Sequence, residues 1–222
     1  DKYGADRNEI ITLKDSFHGR TVTTLSATGQ DVFHNFFFPF TQGFKYVQAN
    51  DIELLKSEIN DKTCAVMLEV IQGEGGVKNL DAEYIKAIES ICRENDVILM
   101  VDEVQTGNGR TGAMYSYMHY GISPDVVTTA KGLGGGLPIG AALLFGKVKD
   151  TLGKGSHGST FGANQISCAG AINVISRIDR EVLNGVKERS EYIFSELLRR
   201  KISFACSPRS IFLWICSSVL SA

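Results

Sequence analysis

The sequence has almost no surplus of charge of one sign: 23 lysines and arginines stand against 25 aspartates and glutamates, for a formal net charge of −2. That balance argues against a basic surface for nucleic acid or for an anionic membrane. Paired cysteines are also lacking. Cys64, Cys92, Cys168, Cys206 and Cys216 are scattered, with no CxxC and no metal-ligand spacing. An odd set of this kind is expected to be reduced, which places the protein in the cytoplasm. There is no long apolar run, since IFLWIC at 211–216 is far too short to span a bilayer. The opening residues do not read as a signal peptide. His157 has no second ligand at useful spacing, so no zinc site is expected. The glycines at 132, 134, 135, 136 and 140 do not fit G-x-G-x-x-G, and no G-x-x-x-x-G-K-[ST] loop occurs. Nucleotide binding by either route is disfavoured.

What is present is a core-forming chain of 222 residues, 43% hydrophobic and 22% charged, enough for one large domain or two small ones. Its organising stretch is 97–138. VILMV reads as a short, fully buried parallel strand that ends at Asp102. DVVTTA reads as the next one and delivers Lys131 into KGLGGGLPIG, with the crossover around 112–121. The 29 positions from Asp102 to Lys131 match one β-α-β unit. Both polar residues would then stand at carboxyl ends of neighbouring strands, where open α/β sheets bind ligands. A carboxylate and an amine meeting there suit pyridoxal 5′-phosphate: the lysine condenses with its aldehyde, and the aspartate keeps the pyridine nitrogen protonated. On spacing alone a plainer reading also stands, with Lys131 a solvated loop residue and Asp102 a turn former or helix cap.

Other elements follow in order. EIITL at 9–13 is a strand, and 51–59 a helix with Asp51 as N-cap. CAVMLEVI at 64–71 is a buried strand with Glu69 and Glu74 near its carboxyl end, where both could simply solvate a turn. Apolar residues at 85, 88, 91 and 92 predict a helix over 81–97 capped by Asp81. From Gln165 to about Arg199 the pattern is helical, broken near Leu183–Gly185. Residues 31–44 are dense in phenylalanine, which means core packing or an interface.

SFHGRT, EVIQGEGGV, VDEVQTGNGRTG, TTAKGLGGGLPIGA and GSHGSTFGAN occur in one chain in this order. Together they closely resemble the class III (ornithine-type) aminotransferases, over about Asp1 to Leu198. The resemblance implies a fold-type I large domain, a mostly parallel sheet with helices on both faces, in residues 1–175. A linking helix and the start of a small domain would occupy 176–222. It implies pyridoxal phosphate as cofactor, bound by Phe17, His18, Asp102, Val104, Gln105, Lys131, Ser159 and Thr160. In that reading Lys131 and Asp102 are catalytic. Phe17 and Val104 take opposite faces of the ring, and His18 packs near it. Gln105 hydrogen-bonds the phenolic oxygen, while the glycines after Lys131 leave room. Arg20, with a planar fork suited to carboxylates, and Glu74, a gating carboxylate, would meet substrate. Ser159 and Thr160 are hydroxyl donors for phosphate, the threonine reaching the cofactor of the neighbouring subunit in a symmetric homodimer with shared active sites. Asn108 departs from the apolar residue common at its position.

The implied reaction moves an amino group from the end of a carbon chain, as in N-acetylornithine, to 2-oxoglutarate, a step of arginine biosynthesis. The form KGLGGGLPIG resembles the acetylornithine branch more than ornithine or 4-aminobutyrate relatives. Family members are nearly twice as long, and bring a further phosphate loop and a carboxylate-binding arginine from outside the matched region. The last thirteen residues carry no charge. Truncation or a reading-frame change near residue 200 is therefore expected, and a non-catalytic dimerising fragment is the competing reading.

Overall fold

The computed structural model describes residues 3–199. The tail expectations, Cys206 and Cys216 lie outside the described residues. Six strands form the main sheet: β1 (Glu9–Leu13), β2 (Phe44–Val47), β3 (Thr63–Leu68), β6 (Ile98–Asp102), β7 (Val126–Thr129) and β8 (Ala141–Leu144). Their spatial order is β2-β1-β3-β6-β7-β8. All neighbours run parallel except the antiparallel β7–β8 pair. The mostly parallel α/β class expected from the sequence is therefore the class observed.

The central strands are apolar for a physical reason. A parallel strand covered on both faces has no solvent side and needs no alternation. Ile11, Leu13, Val66, Leu68, Leu99, Val101 and Val127 are each at most 2% exposed. Helix α3 (Ala82–Glu94) buries Tyr84, Ile85, Ile88, Ile91 and Cys92, a helical stripe. It packs on β6 and on α2 (Ile52–Glu58). The Asp51 carboxylate accepts from Leu54 N at 2.9 Å, the predicted cap.

Three boundaries and one cap differ from expectation. Helix α3 stops at Glu94, not 97. Asn95 Nδ2 donates back to the Ile91 carbonyl at 2.9 Å, and Asp96 turns at φ 49° to start β6. Asp81 stands at its N-cap, but its side chain makes no cap bond. The run at 64–71 is not one strand. It breaks after Leu68, and β4 (Ile71–Gln72) turns off to pair antiparallel with β5 (Lys78–Asn79). The helical tail breaks at Ile178–Asp179, between α4 (Gln165–Arg177) and α5 (Arg180–Arg199), and not at Leu183–Gly185. Asp179 is the reason: its Oδ1 accepts from Val182 N at 2.9 Å and its carbonyl from Leu183 N at 3.0 Å, so a new helix starts there.

The β6–β7 crossover contains only a short 3₁₀ turn at Ser116–His119. A buried carboxylate ties it down instead. Glu103, fully buried, accepts from Thr106 Oγ1, from Ser116 Oγ at 2.7 Å and from Tyr117 N at 2.8 Å. Removing it strands three donors. Glu103→Ala is expected to cost about 3 kcal/mol in urea unfolding, with little change in m. A cost below about 1 kcal/mol would mean that water replaces the carboxylate without loss.

Candidate functional site

The sheet order brings β1, β3, β6 and β7 side by side, all parallel, so their carboxyl ends share one edge. Each end contributes to one cleft. Phe17 and His18 follow β1, Glu69 and Glu74 follow β3, and Asp102 closes β6 with Val104 and Gln105 beyond it. Lys131 follows β7.

Asp102 is buried and held from two sides. Its Oδ2 lies 2.8 Å from His18 Nδ1, and its Oδ1 accepts from Val104 N at 3.0 Å. An ionised carboxylate only accepts, so Nδ1 carries the hydrogen. His18 Nε2 is left buried without a partner among the described residues. His18 thus orients the aspartate while it also lines the cleft. The His18 backbone is fixed in turn, its N–H donating to Thr28 Oγ1 at 3.0 Å.

Glu69 was legible only as a turn residue, yet it is 5% exposed. Its Oε2 accepts from Phe17 N at 2.9 Å and its Oε1 from Gly73 N at 3.4 Å. It thus ties the β1 turn to the glycine loop after β3. The signal in the sequence was an acidic residue inside an otherwise apolar run. Burial pushes its carboxyl up to about 7; Asp102 adds to that, while His18 and the two backbone donors oppose it.

Lys131 Nζ donates to Gln105 Oε1. Burial lowers the affinity of the amine for its proton, and Arg110 acts the same way. Glu74, Asp102 and Glu69 pull in the opposite direction. The net direction is down from the ordinary lysine value. Lys131 adopts φ 46°, a left-handed conformation uncommon outside glycine.

The glycines behind it serve the chain more than the cleft. Gly135 and Gly136 turn at φ 59° and 104°. A Cβ on Gly134 would meet Ile139 at 2.8 Å, and one on Gly135 would meet Val174 of α4 at 2.9 Å. Gly134 and Gly135 are thus required by close packing, Gly135 against α4, while a Cβ on Gly136 would meet nothing within 4 Å.

Three predicted residues stand away from the cleft lining. Arg20 is exposed, with its guanidinium 4.2 Å from the Phe33 ring centroid and 5.4 Å from that of Phe17. Ser159 and Thr160 are exposed, beside Phe161 at 83% exposure. The cleft lining suits the ring half of pyridoxal phosphate: a held carboxylate, an amine of reduced basicity, an aromatic face and a valine. Among the described residues it presents no hydroxyl side chain and no lysine or arginine other than Lys131 for a phosphate.

Comparison with known proteins shows the family of the chain. The family described as aminotransferase class-III matches residues 1–204, and the chain belongs to that family. It is 53% identical over 192 residues to an acetylornithine aminotransferase of Haemophilus ducreyi, covering 86% of this chain and 49% of that protein. An ornithine aminotransferase structure from Toxoplasma gondii, described with partial occupancy of PLP at its active site, superposes with TM-score 0.78 at 36% identity. It covers 88% of this chain and 46% of that one. An N-acetylornithine aminotransferase from Stenotrophomonas maltophilia gives TM-score 0.69 at 31% identity, covering 90% and 48%. The chain spans about half the length of the curated relatives it matches. Among the described residues no helix is long and apolar enough to cross a membrane.

The Glu69 environment has a consequence for stability. Its folded carboxyl holds a proton up to about 7, against 4.5 ordinarily. The folded state thus binds more protons between those values, and stability from this group falls as pH rises through that window. Glu69→Gln keeps an acceptor for Phe17 N and cannot ionise. Its urea midpoint is expected to match wild type at pH 4.5 and to exceed it at pH 8, by up to about 3 kcal/mol in stability. Equal differences at the two pH values would place the ionisation elsewhere.

Proposed function

We propose that this chain carries the pyridoxal-phosphate site of an aminotransferase that takes the terminal amine of N-acetylornithine and passes it to 2-oxoglutarate. One observation carries the reading. A doubly held, buried Asp102 and a lysine of lowered basicity, Lys131, share the carboxyl edge of neighbouring parallel strands. When bound, the cofactor supplies an electron sink for the carbon that loses its proton.

The chain's residues do the rest. Asp102 would accept the pyridine N–H and favour its protonated form, while His18 and Val104 N keep the carboxylate in place. Phe17 and Val104 would hold the ring between them, and Gln105, which accepts from Lys131 here, would hold its phenolic oxygen. Lys131 Nζ, less basic than an exposed lysine, would take the proton from the amine-bearing carbon and carry it to the cofactor. Glu74 stands exposed at the mouth, where it can pair with a cationic group and release it. Arg20, oriented by Phe33, takes a substrate carboxylate. Ser159 and Thr160 serve the phosphate of a second copy, which makes the working unit a homodimer with shared sites, in the cytoplasm and within arginine biosynthesis.

Ornithine is the second candidate donor, favoured by the Toxoplasma gondii likeness, though at 36% identity against 53% for the acetylornithine relative.

Borohydride reduction with pyridoxal phosphate, followed by peptide mapping, is expected to place the reduced adduct on Lys131 and to lose it in Lys131→Ala. An adduct on another lysine overturns the assignment. Asp102→Ala is expected to fold but to lose about 10²-fold or more in kcat. Turnover of N-acetylornithine against ornithine and 4-aminobutyrate identifies the donor.

A further inference from the structure

Asn108 lies in the turn after β6, with its backbone at φ 56°. Asparagine tolerates that left-handed conformation better than most residues. Its side chain does more than tolerate it. Nδ2 donates to Thr129 Oγ1 at 3.0 Å and to the Ala130 carbonyl at 3.1 Å. These are the two residues before Lys131. The Ala130 carbonyl also accepts from Leu133 N at 3.0 Å, so both its lone pairs are used. Thr129 is buried and is also hydrogen-bonded with the Tyr115 hydroxyl.

A carbonyl can only accept, so the amide must face Ala130 with Nδ2. Oδ1 is then left buried with no partner among the described residues. An apolar side chain would leave no such orphan. The unmet acceptor is tolerated together with two bonds that grip one point of the chain. The very next residue, Lys131, holds a left-handed backbone at φ 46°, a conformation that persists only when its surroundings over-determine it.

We propose that Asn108 is a positioning residue for Lys131: its amide clamps the two residues before the lysine and so fixes how Nζ enters the cleft. The inference takes Lys131 as the reactive amine of the proposed function, and its test reads the lysine directly.

The test uses the full natural polypeptide that contains these residues, freed of cofactor. Lys131 is acylated with an amine-selective reagent across a pH series and quantified by peptide mass spectrometry. Asn108→Gly keeps the left-handed backbone at no steric cost and removes the amide. Thr129→Val removes one acceptor and keeps the shape. The charged groups acting on Lys131, namely Glu74, Asp102, Glu69 and Arg110, are untouched in both. The expected result is a change of about fivefold in Lys131 labelling at fixed pH, or an equivalent move of its pH midpoint, with other lysines unchanged. With pyridoxal phosphate restored, the visible band of the bound cofactor should move and kcat should fall more than KM rises. A merely structural role would lower the melting temperature and leave Lys131 labelling at wild type. Wild-type labelling in both variants overturns the proposal. Should Asn108→Gly fail to fold, wild-type labelling in Thr129→Val overturns it alone. An adduct found on another lysine would sink the functional reading and leave this labelling result intact.

Discussion

The site depends on four neighbouring strands running the same way. Parallel pairing of β1, β3, β6 and β7 puts four carboxyl ends at one edge, although their residues are far apart in the chain. The bond between His18 and Asp102 spans 84 positions. Reversing any one of these strands would carry its group to the opposite edge. The apolar runs that bury the sheet and the polar residues that end those runs are therefore one constraint. Burial fixes the register, and the register brings Asp102 level with the end of β7, where it pairs with Thr128.

Once assembled, the cleft is a contest between burial and charge. Three carboxylates, Glu69, Glu74 and Asp102, act on Lys131 and favour its ammonium form, yet desolvation outweighs them. The same burial makes Glu69 hold its proton near neutrality. Asp102 differs from Glu69 in its partners: an imidazole N–H and a backbone N–H both serve its charge. Two acids at the carboxyl ends of adjacent strands, Asp102 closing β6 and Glu69 one residue past β3, thus meet different local surroundings. The same strand edge carries one acid held by a ring nitrogen and a backbone N–H, and another whose carboxyl burial pushes up.

The strands and their ending residues were legible because continuous apolar runs followed by Asp or Lys are local signals. Asp102, Lys131 and the Asp51 cap could be read that way. The five motifs in order located Phe17, Val104 and Gln105. What could not be read was set by distance or by competition. His18 was found, but not its partner, since nothing near it in sequence points to Asp102. Glu69 looked like turn solvation because its burial comes from the break after Leu68, a tertiary event. Leu183–Gly185 suggested a helix break through glycine, but Asp179, five positions before Asn184, had already capped a new helix. Asn108 stood out as a departure, and only its contacts with Thr129 and Ala130 give that departure a physical meaning.

The division of labour between ring and phosphate follows from how each is held. A ring needs a few groups at fixed positions, which strand ends provide. A phosphate needs several N–H or hydroxyl donors, which glycine loops and helix N-termini provide. The segment carrying Ser159 and Thr160 leads into α4, but that helix end is already served. Asn164 Oδ1 accepts from Ile166 N at 3.1 Å and from Ser167 N at 3.2 Å. With those first-turn donors engaged, the capacity of this stretch for an anion rests on its two hydroxyls and its loop amides. All of them lie outside the cleft that holds Lys131. The groups suited to the ring and those suited to the phosphate are therefore separated within this chain.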